Sequence, residues 1–500
     1  MRHSHPLAQL VCRPIAPAKL TPSPSGQALH VLVVLPAQSA APKDMPNRDQ
    51  LLAALKRRKM KFAELAKSPV PLELVAGCRY AYVIADLDQP RFAQLTALRK
   101  AALLLLEENP QEVHVVIGGE DQQVSLQLAR EALYVLWLNG AALPVRKRKP
   151  AKPLQQIVLH PCPRGYGPFK KADFAAVATL AEANTLAREL TALPPNELTP
   201  ANYRKRIRSL AQEQDWRIEE YGFKRLAKLG AGAFCAVAQG SHEQDAAIVH
   251  LHYRPKSAKR HLALVGKGIC FDTGGHNLKP AKYMSGMHED MNGSAVALAL
   301  LLAIDKLKLP VRVDAWLAVA QNNISSRAYK QNDIVTALDG THIEIVHTDA
   351  EGRMVLADTL TLASRSKPDL LIDFATLTGS MISALGNRYC GIFASSDELA
   401  MLAIGAGRQT SERVCVFPMD EDYEAALESK VADIKQCTLE GEADHILAAR
   451  FLKRFTGETP WLHVDLAAAN CKGGLGAVAS DITGFGVAWG AGLLAQWLAA

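Results

Sequence analysis

The second half of this chain contains the segment His261-Leu-Ala-Leu-Val265-Gly-Lys267-Gly-Ile-Cys-Phe-Asp272-Thr-Gly-Gly275, from which its fold can be inferred. Its first five residues form a short, mostly apolar run, which is typical of a strand buried on both faces of a parallel sheet. The glycines that follow indicate the end of a strand and a turn. We therefore predict a buried strand over residues 261–265, with Lys267 at its end beside Asp272.

Similar apolar runs alternate with helical patterns on both sides of this stretch. Further strands are predicted at 31–35, 80–84, 113–117, 155–160, 246–252, 311–318, 369–374 and 461–465. A pattern that is apolar all round over residues 295–307 predicts a buried helix. This order of elements predicts an α/β protein of two domains, each with a mixed or mostly parallel sheet flanked by helices, and the two joined by a helix.

The length of 500 residues is too great for one ordinary core, which also favours two domains. A helix predicted from about residue 172 to 193 is ended by Pro194-Pro195 and connects the two patterns. We assign residues 1–165 to an N-terminal α/β domain of unassigned role, 166–195 to the linker helix and 196–500 to the catalytic domain.

The composition is that of a globular protein, with 49% hydrophobic and 21% charged residues. The net charge of +7 lies partly in two basic runs, 56–59 and 146–149, and such runs are usually solvated surface. Nucleic-acid binding is retained only as an alternative. Nine cysteines without a C-x-x-C pair argue against a disulfide framework. With no long apolar stretch, we expect a cytoplasmic protein that enters no membrane.

Two further segments add carboxylates to Asp272: Met287-His-Glu-Asp290-Met291 and His347-Thr-Asp349-Ala-Glu351-Gly-Arg353. Divalent cations prefer such oxygen ligands. Carboxylates that bridge two cations hold them about 3.5 Å apart, so that both polarise one water molecule. The segments therefore predict a two-metal hydrolase.

The cations among these acids have several interpretations. Lys267 lacks the spacing of a phosphate-binding loop, which leaves a salt-bridge partner or a neutral amine ligand. Lys279 and Arg353 could polarise a substrate carbonyl or stabilise an oxyanion. For each of them alone, a structural salt bridge is the ordinary role. Serine-esterase and zincin interpretations have no support, because neither G-x-S-x-G nor H-E-x-x-H occurs.

These segments together resemble the leucine (cytosol) aminopeptidase family of two-metal exopeptidases. The family patterns V-G-K-G-x-x-F-D-[ST]-G-G, L-K-P, M-x-x-D-M and N-T-D-A-E-G-R-L correspond to residues 265–275, 278–280, 287–291 and 347–354. Further matches occur at 195–200, 373–379 and 483–487. The resemblance extends from about residue 195 to the end of the chain, and the first 150 residues carry no family motif.

The resemblance implies a set of metal ligands and catalytic groups. The tighter divalent ion is bound by Lys267, Asp272, Asp290 and Glu351, and the more exchangeable one by Asp272, Asp349 and Glu351. Mn²⁺ and Zn²⁺ are the ions it implies, two per subunit. By the same resemblance Lys279 polarises the scissile carbonyl, and Arg353 holds a bicarbonate that acts as general base.

The resemblance also implies the substrate and the assembly. The substrate is a peptide whose free amine binds the exchangeable metal, and the protein is a homohexamer. The residues that line the substrate pocket are Met287, Thr376, Leu377 and Gly379, with His347 near the leaving group.

Four departures from the family pattern concern the substrate. His347 stands for the usual Asn, Met354 for Leu, His276-Asn277 for the common Ile-Ser, and residues 442–446 replace a glycine-rich stretch. Leucine preference therefore does not follow from the resemblance. A narrow dipeptidase, for example on Cys-Gly, and a DNA-binding regulator with an aminopeptidase fold are the alternatives.

Overall fold

Two separate β-sheets organise the chain, one on each side of a long helix. The computed structural model describes residues 6–13, 28–74, 77–161, 166–241 and 244–500. Both sheets carry helices on their faces and contain mostly parallel strands in their centres. The α/β fold class expected from the sequence is thus confirmed.

The N-terminal sheet has six strands within the described residues. They are β1 (Gln9–Cys12), β2 (Leu29–Pro36), β3 (Val70–Leu74), β4 (Cys78–Ala85), β5 (Glu112–Ile117) and β6 (Gln156–Pro161). The helices are α1 (Arg48–Arg57), α2 (Arg91–Leu106) and α3 (Gln122–Gly140), with a 3-10 turn at Phe62–Ala66. The strand order is β1-β6-β5-β2-β4-β3, and β3 pairs antiparallel with β4.

Two hydrophobic clusters cover the two faces of this sheet, because side chains alternate along each strand. Leu32 and Val34 of β2 pack against α2 and α3, whereas Val31 and Val33 pack against α1. The strands predicted at 31–35, 80–84, 113–117 and 155–160 coincide with β2, β4, β5 and β6, and each end differs from its predicted position by two residues or fewer.

The larger sheet lies in the C-terminal part. Its described strands are β7 (Arg217–Gly222), β8 (Ala247–Tyr253), β9 (Arg260–Asp272), β10 (Val311–Asn322), β13 (Leu370–Ala375), β14 (Cys390–Ala394), β15 (Val414–Val416) and β17 (Trp461–Asp465). A small sheet comprises β11 (Ile334–Thr336), β12 (His342–Glu344) and β16 (Ile434–Lys435). The large sheet has the order β15-β14-β17-β13-β9-β10-β8-β7, and its centre, β17-β13-β9-β10, is parallel.

The described helices of this part cover both faces of the large sheet. They are α4 (Ala175–Thr191), α5 (Pro200–Glu213), α6 (Phe223–Leu229), α7 (Gly232–Ala238), α8 (Ala281–Met284), α9 (Asn292–Lys306), α10 (Glu351–Ser364), α11 (Gly379–Leu385), α12 (Asp397–Thr410), α13 (Asp444–Lys453) and α14 (Val487–Ala499), with 3-10 turns at Lys171–Phe174, Met287–Glu289 and Glu421–Leu427. One face packs on α5, α9, α12 and α14, and the other on α7, α10 and α13. Among the described residues, no helix is both long and apolar enough to cross a membrane.

Helix α4 lies between the two sheets. It contacts α3 on the N-terminal side and α9 and α14 on the C-terminal side. The buried guanidinium of Arg188 in α4 donates a hydrogen bond of 2.8 Å to the carbonyl of Leu138 in α3. This helix corresponds to the connection predicted at about 172–193.

Strand β9 is much longer than predicted, and Lys267 lies inside it instead of at its end. The glycines that suggested a turn lie instead where a helix packs closely on the strand. A Cβ atom on Gly266 would lie 2.4 Å from the Cα of Ser294, and one on Gly293 would lie 2.1 Å from the carbonyl oxygen of Phe374. Because Gly266 and Gly293 have no side chains, the start of α9 packs directly on β9 and β13.

The carboxyl ends of the central strands carry polar residues. Asp272 ends β9, Asn322 ends β10 and Asp465 ends β17, whereas Thr376 follows β13 directly. Ligand sites of open α/β sheets lie at this edge, just beyond the strands. The fold thus brings the acidic segments of the sequence to one place.

Candidate metal centre

Four carboxylates meet at this edge of the sheet. Asp272 comes from the end of β9, Asp290 from the turn before α9, and Asp349 and Glu351 from the start of α10. Carboxylate oxygens of Asp272, Asp290 and Glu351 lie within 4.8 Å of one another, and all three residues are buried. These three are among the metal ligands predicted from the sequence.

The amine of Lys267 lies inside this carboxylate cluster. Its Nζ is 2.9 Å from Oδ1 of Asp290 and 2.8 Å from Oε1 of Glu351, and it donates a hydrogen bond to the carbonyl of Thr376. Burial opposes the charge of the ammonium group, but the carboxylates of Asp290 and Glu351 outweigh it and raise the pKa of Lys267. The amine of Lys267, which the family resemblance implies as a neutral metal ligand, therefore holds its proton tightly.

Lys279 approaches the same cluster from the other side. Its Nζ is 3.0 Å from Oδ2 of Asp272 and 2.5 Å from Oδ1 of Asp349. Burial is the largest influence and disfavours the charge, yet the surrounding carboxylates raise the pKa of Lys279 overall. These carboxylates thus favour the charged form of Lys279.

The acids of the cluster outnumber its amines. Burial, together with the negative charge of neighbouring carboxylates, raises the pKa of Asp290, Asp349 and Glu351, although the two lysines act in the opposite direction. Excess negative charge in a desolvated site is costly unless a cation compensates it. The electrostatics of the cluster therefore favour bound cations.

Among the residues that the structure describes, Oδ2 of Asp290 and Oε2 of Glu351 are buried without a hydrogen-bond or ion-pair partner. Oδ1 of Asp349 is also buried, and its partner is the amine of Lys279 in an ion pair. Asp272 is held in orientation, since its Oδ1 accepts hydrogen bonds from the backbone of Gly274 and from Nδ2 of Asn322, both of 2.8 Å. Buried unpaired oxygens are rare in proteins, and carboxylates with one amine form a suitable ligand set for Mn²⁺ or Zn²⁺. The residues present fit divalent metal ions.

Arg353 lies in the first turn of α10 and is almost completely buried, with 2% of its surface exposed. Its Nη2 donates a hydrogen bond of 2.7 Å to Oδ1 of Asp444, and its Nη1 donates one of 3.0 Å to the carbonyl of Gln436. The guanidinium that was expected to hold bicarbonate is therefore paired with a carboxylate of the chain itself.

A cavity of about 850 Å³ opens over the cluster. All twelve site residues predicted from the sequence line it, namely Lys267, Asp272, Lys279, Met287, Asp290, His347, Asp349, Glu351, Arg353, Thr376, Leu377 and Gly379. Thr376 also supports a ligand, because its hydroxyl donates a hydrogen bond of 2.7 Å to Oδ1 of Asp290. Exposed apolar side chains at the cavity include Leu278, Tyr283, Ile382 and Leu439.

Three supporting residues were missed in the sequence analysis. Asn322 orients Asp272, Asp465 accepts hydrogen bonds from the backbone of Leu377 and the hydroxyl of Thr378, and Asp444 engages Arg353. Asp465 was detectable, because it ends the strand predicted at 461–465 in the parallel sheet. Asn322 was not, because β10 continues to residue 322, beyond the end predicted at residue 318. For Asp444 the only signal was the replaced glycine-rich stretch.

A buried set of oxygen and amine donors at the end of an α/β sheet is the site of a metalloenzyme. The family model described as the cytosol aminopeptidase family, catalytic domain, matches residues 185–489. A probable cytosol aminopeptidase of Leifsonia xyli subsp. xyli is 42% identical over 395 residues, which are 76% of this chain and 77% of the relative. Another, of Albidiferax ferrireducens, is 36% identical over 398 residues, 78% and 81% of the two chains.

Among solved structures, the bottromycin maturation enzyme BotP in complex with Mn is similar to this chain. The TM-score is 0.79 at 31% sequence identity, over 94% of this chain and 100% of BotP. The chain belongs to the cytosol aminopeptidase family. It is accordingly a metal-dependent aminopeptidase, a hydrolase whose substrates are peptides.

Proposed function

We propose that the cavity binds two divalent metal ions per subunit and removes the N-terminal amino acid from peptides. The observation that carries the proposal is the pair of buried oxygens without partners, on Asp290 and Glu351, beside the amine of Lys267. Lys267, Asp272, Asp290 and Glu351 would hold the tighter ion, and Asp272, Asp349 and Glu351 the exchangeable one. When bound, the ions supply Lewis-acid polarisation of the carbonyl and a water of lowered pKa.

Mn²⁺ and Zn²⁺ are the proposed ions. The mixed oxygen and nitrogen donor set is compatible with both, and BotP was solved in complex with Mn. Loading of the tighter position requires that Lys267 gives up a proton, because an ammonium group has no lone pair for a metal. The salt bridges of Lys267 to Asp290 and Glu351 would be replaced in that process.

Lys279 is proposed to stabilise the oxyanion that develops on the scissile carbonyl. Its amine lines the cavity and remains charged at neutral pH, since the acids around it raise its pKa. Carboxylates of Asp272 and Asp349 fix its position, so little reorganisation is needed during reaction.

Arg353 is proposed to anchor the general base that receives a proton from the attacking water. The family resemblance implies bicarbonate in this position. The buried guanidinium supports an anion there, because Arg353 stays protonated and lines the cavity.

Peptides with a free N-terminus are the proposed substrates. Met287, Thr376, Leu377 and Gly379 would surround the side chain of the first residue, and His347 the leaving group. All five line the cavity. In this proposal the free amine completes the exchangeable site, so a blocked amine would prevent turnover. We also propose that the protein is a homohexamer in the cytoplasm. Its proposed domains are residues 1–165 and 196–500, with a linker between them.

Hydrolysis of leucyl p-nitroanilide and of its N-acetylated form tests this function. We expect the free-amine substrate to be hydrolysed by protein that is loaded with Mn²⁺ or Zn²⁺, and the acetylated one to be inert. The variant Asp290→Ala should lose bound metal and activity together. Comparable turnover of both substrates would contradict the exopeptidase and leave a general amidase.

A further inference from the structure

The carboxylate of Asp444 is paired with Arg353, the guanidinium to which the family resemblance assigns an external anion. Its Oδ1 accepts a hydrogen bond of 2.7 Å from Nη2 of Arg353. Nη1 of the same guanidinium donates to the carbonyl of Gln436, so both outer nitrogens have partners within the chain, whereas the buried Nε has none. The side chains of Arg353 and Asp444 both line the cavity that contains the carboxylate cluster. The chain itself therefore places an anion in this cavity, on the guanidinium of Arg353.

The local backbone fixes this carboxylate. Asp444 is the first residue of α13, and its neighbour His445 donates a backbone hydrogen bond of 2.9 Å to the hydroxyl of Ser380. Ala443 has a left-handed conformation with φ 52, a region that favours glycine. The family resemblance predicts glycines in this stretch. Ala443 still has a backbone conformation that favours glycine, and the next residue is the acid Asp444.

Exposure and charge suit this carboxylate for proton transfer. The side chain of Asp444 is 24% exposed, whereas that of Arg353 is 3% exposed. One end of the ion pair is therefore buried and fixed, and the acid faces the open cavity. A charge-assisted hydrogen bond to a buried guanidinium holds a carboxylate in one orientation. A general base needs this combination of fixed position and access to the substrate.

We propose that Asp444 is the general base of this aminopeptidase and replaces the bicarbonate that the family resemblance implies. The inference rests on the proposed function. The Asp444 carboxylate accepts one proton from the attacking water, while the water oxygen bonds to the carbonyl carbon. The carbon–nitrogen bond then breaks, and the same proton passes from the Asp444 carboxyl group to the leaving amine. Water is consumed, and no other reactant is needed.

The ordinary alternative is that Asp444 is a structural partner of Arg353 at the start of a helix. The variant Asp444→Asn separates the two roles, because its amide oxygen still accepts the hydrogen bond from Arg353 but takes up no proton. Asp444→Ala removes the carboxylate and opens space on the guanidinium. Glu442→Gln is the matched control, since this neighbouring acid is exposed and does not line the cavity.

The experiment measures kcat and KM for leucyl p-nitroanilide with Mn²⁺-loaded enzyme, in buffer freed of bicarbonate and with sodium bicarbonate added back. We expect the wild-type protein and Glu442→Gln to be insensitive to bicarbonate. Both Asp444 variants should keep metal content and KM while kcat falls by about 10² to 10⁴-fold. Bicarbonate should restore kcat of Asp444→Ala in a saturable manner.

Full kcat of Asp444→Asn without bicarbonate would overturn the inference, and so would activation of the wild-type protein by bicarbonate. In either case the aminopeptidase itself would stand. A metal-loaded wild-type protein that releases no p-nitroaniline would instead overturn the proposed function together with this inference.

Discussion

The two lysines of the centre carry the same charge but hold different partners. Lys267 is paired with Asp290 and Glu351 in the buried interior, and Lys279 with Asp272 and Asp349 at the cavity. In the proposed function the first must become neutral and the second must stay charged. Substitution at these two positions should therefore give different results.

Lys279→Ala should retain the metal ions and lose turnover. The carboxylates it contacts remain available as ligands, but stabilisation of the oxyanion is lost, so kcat should fall on the order of 10² to 10³-fold. Metal analysis and kinetics of the purified variant check this result. Lys282→Ala is the control, because that lysine is exposed and outside the cavity. Loss of both metals from Lys279→Ala would contradict the assigned role.

The pH dependence follows from Lys267. Because Asp290 and Glu351 raise its pKa above the usual value despite its burial, protons compete with the metal throughout the neutral range. Metal affinity should fall as the pH falls, and activity should be highest above neutrality. Excess Mn²⁺ should restore part of the activity lost on the acid side. Titration of activity against metal at several pH values measures this shift.

The variant Lys267→Arg tests the same residue without a pH change, since a guanidinium stays protonated in proteins. We expect it to lose the tighter ion. If it retains both ions and normal activity, Lys267 is a salt-bridge residue, and its proton does not compete with the metal.

The position of Asp290 depends on how closely helix α9 approaches the sheet. A Cβ atom on Gly293 would lie 2.1 Å from the carbonyl oxygen of Phe374 in β13. Gly293→Ala should therefore displace the start of α9 and lower the free energy of unfolding by about 1–3 kcal/mol. Denaturant unfolding and metal analysis check both effects.

Gly222→Ala is the control for this substitution, because a Cβ atom there meets nothing within 4 Å. It should leave stability and metal binding nearly unchanged. A Gly293→Ala protein with wild-type stability and metal content would show that α9 does not constrain the centre.

The sequence predicted the strands well where apolar runs were long, and it failed where packing set the residue type. Strand β9 was predicted to end at residue 265 because Gly266 and Gly268 resemble a turn. In the structure Gly266 is required by the contact with α9, which sequence periodicity does not reveal. The pair of Arg353 and Asp444 spans 91 positions along the chain, and no local pattern encodes such a contact.

The predicted ligands, by contrast, follow from contiguous motifs. Asp349 lies two residues before α10, Glu351 begins that helix, Arg353 lies in its first turn, and Asp272 lies at the end of its strand. The spacing within each motif sets the local geometry of these groups, whereas the packing of α9 and α10 on β9 brings them to one site.

The N-terminal sheet and its helices contact the C-terminal part of the molecule through hydrogen bonds. The side chain of Asn139 in α3 donates a hydrogen bond of 2.8 Å to the carbonyl of Ala477 and accepts one of 2.7 Å from the backbone of Ala479. The first 150 residues carry no family motif that the sequence analysis could use. Similarity to BotP nevertheless covers 94% of the chain, and thus includes most of this sheet.

The number of metal ions bound per chain decides whether the carboxylate cluster is a two-metal centre. The protein is stripped with a chelator and titrated with Mn²⁺, while bound metal and hydrolysis of leucyl p-nitroanilide are followed in parallel. We predict two ions per chain, one released more readily than the other, and no activity in the stripped protein. Activity that persists without metal, or saturation at a single ion per chain, would contradict a two-metal mechanism.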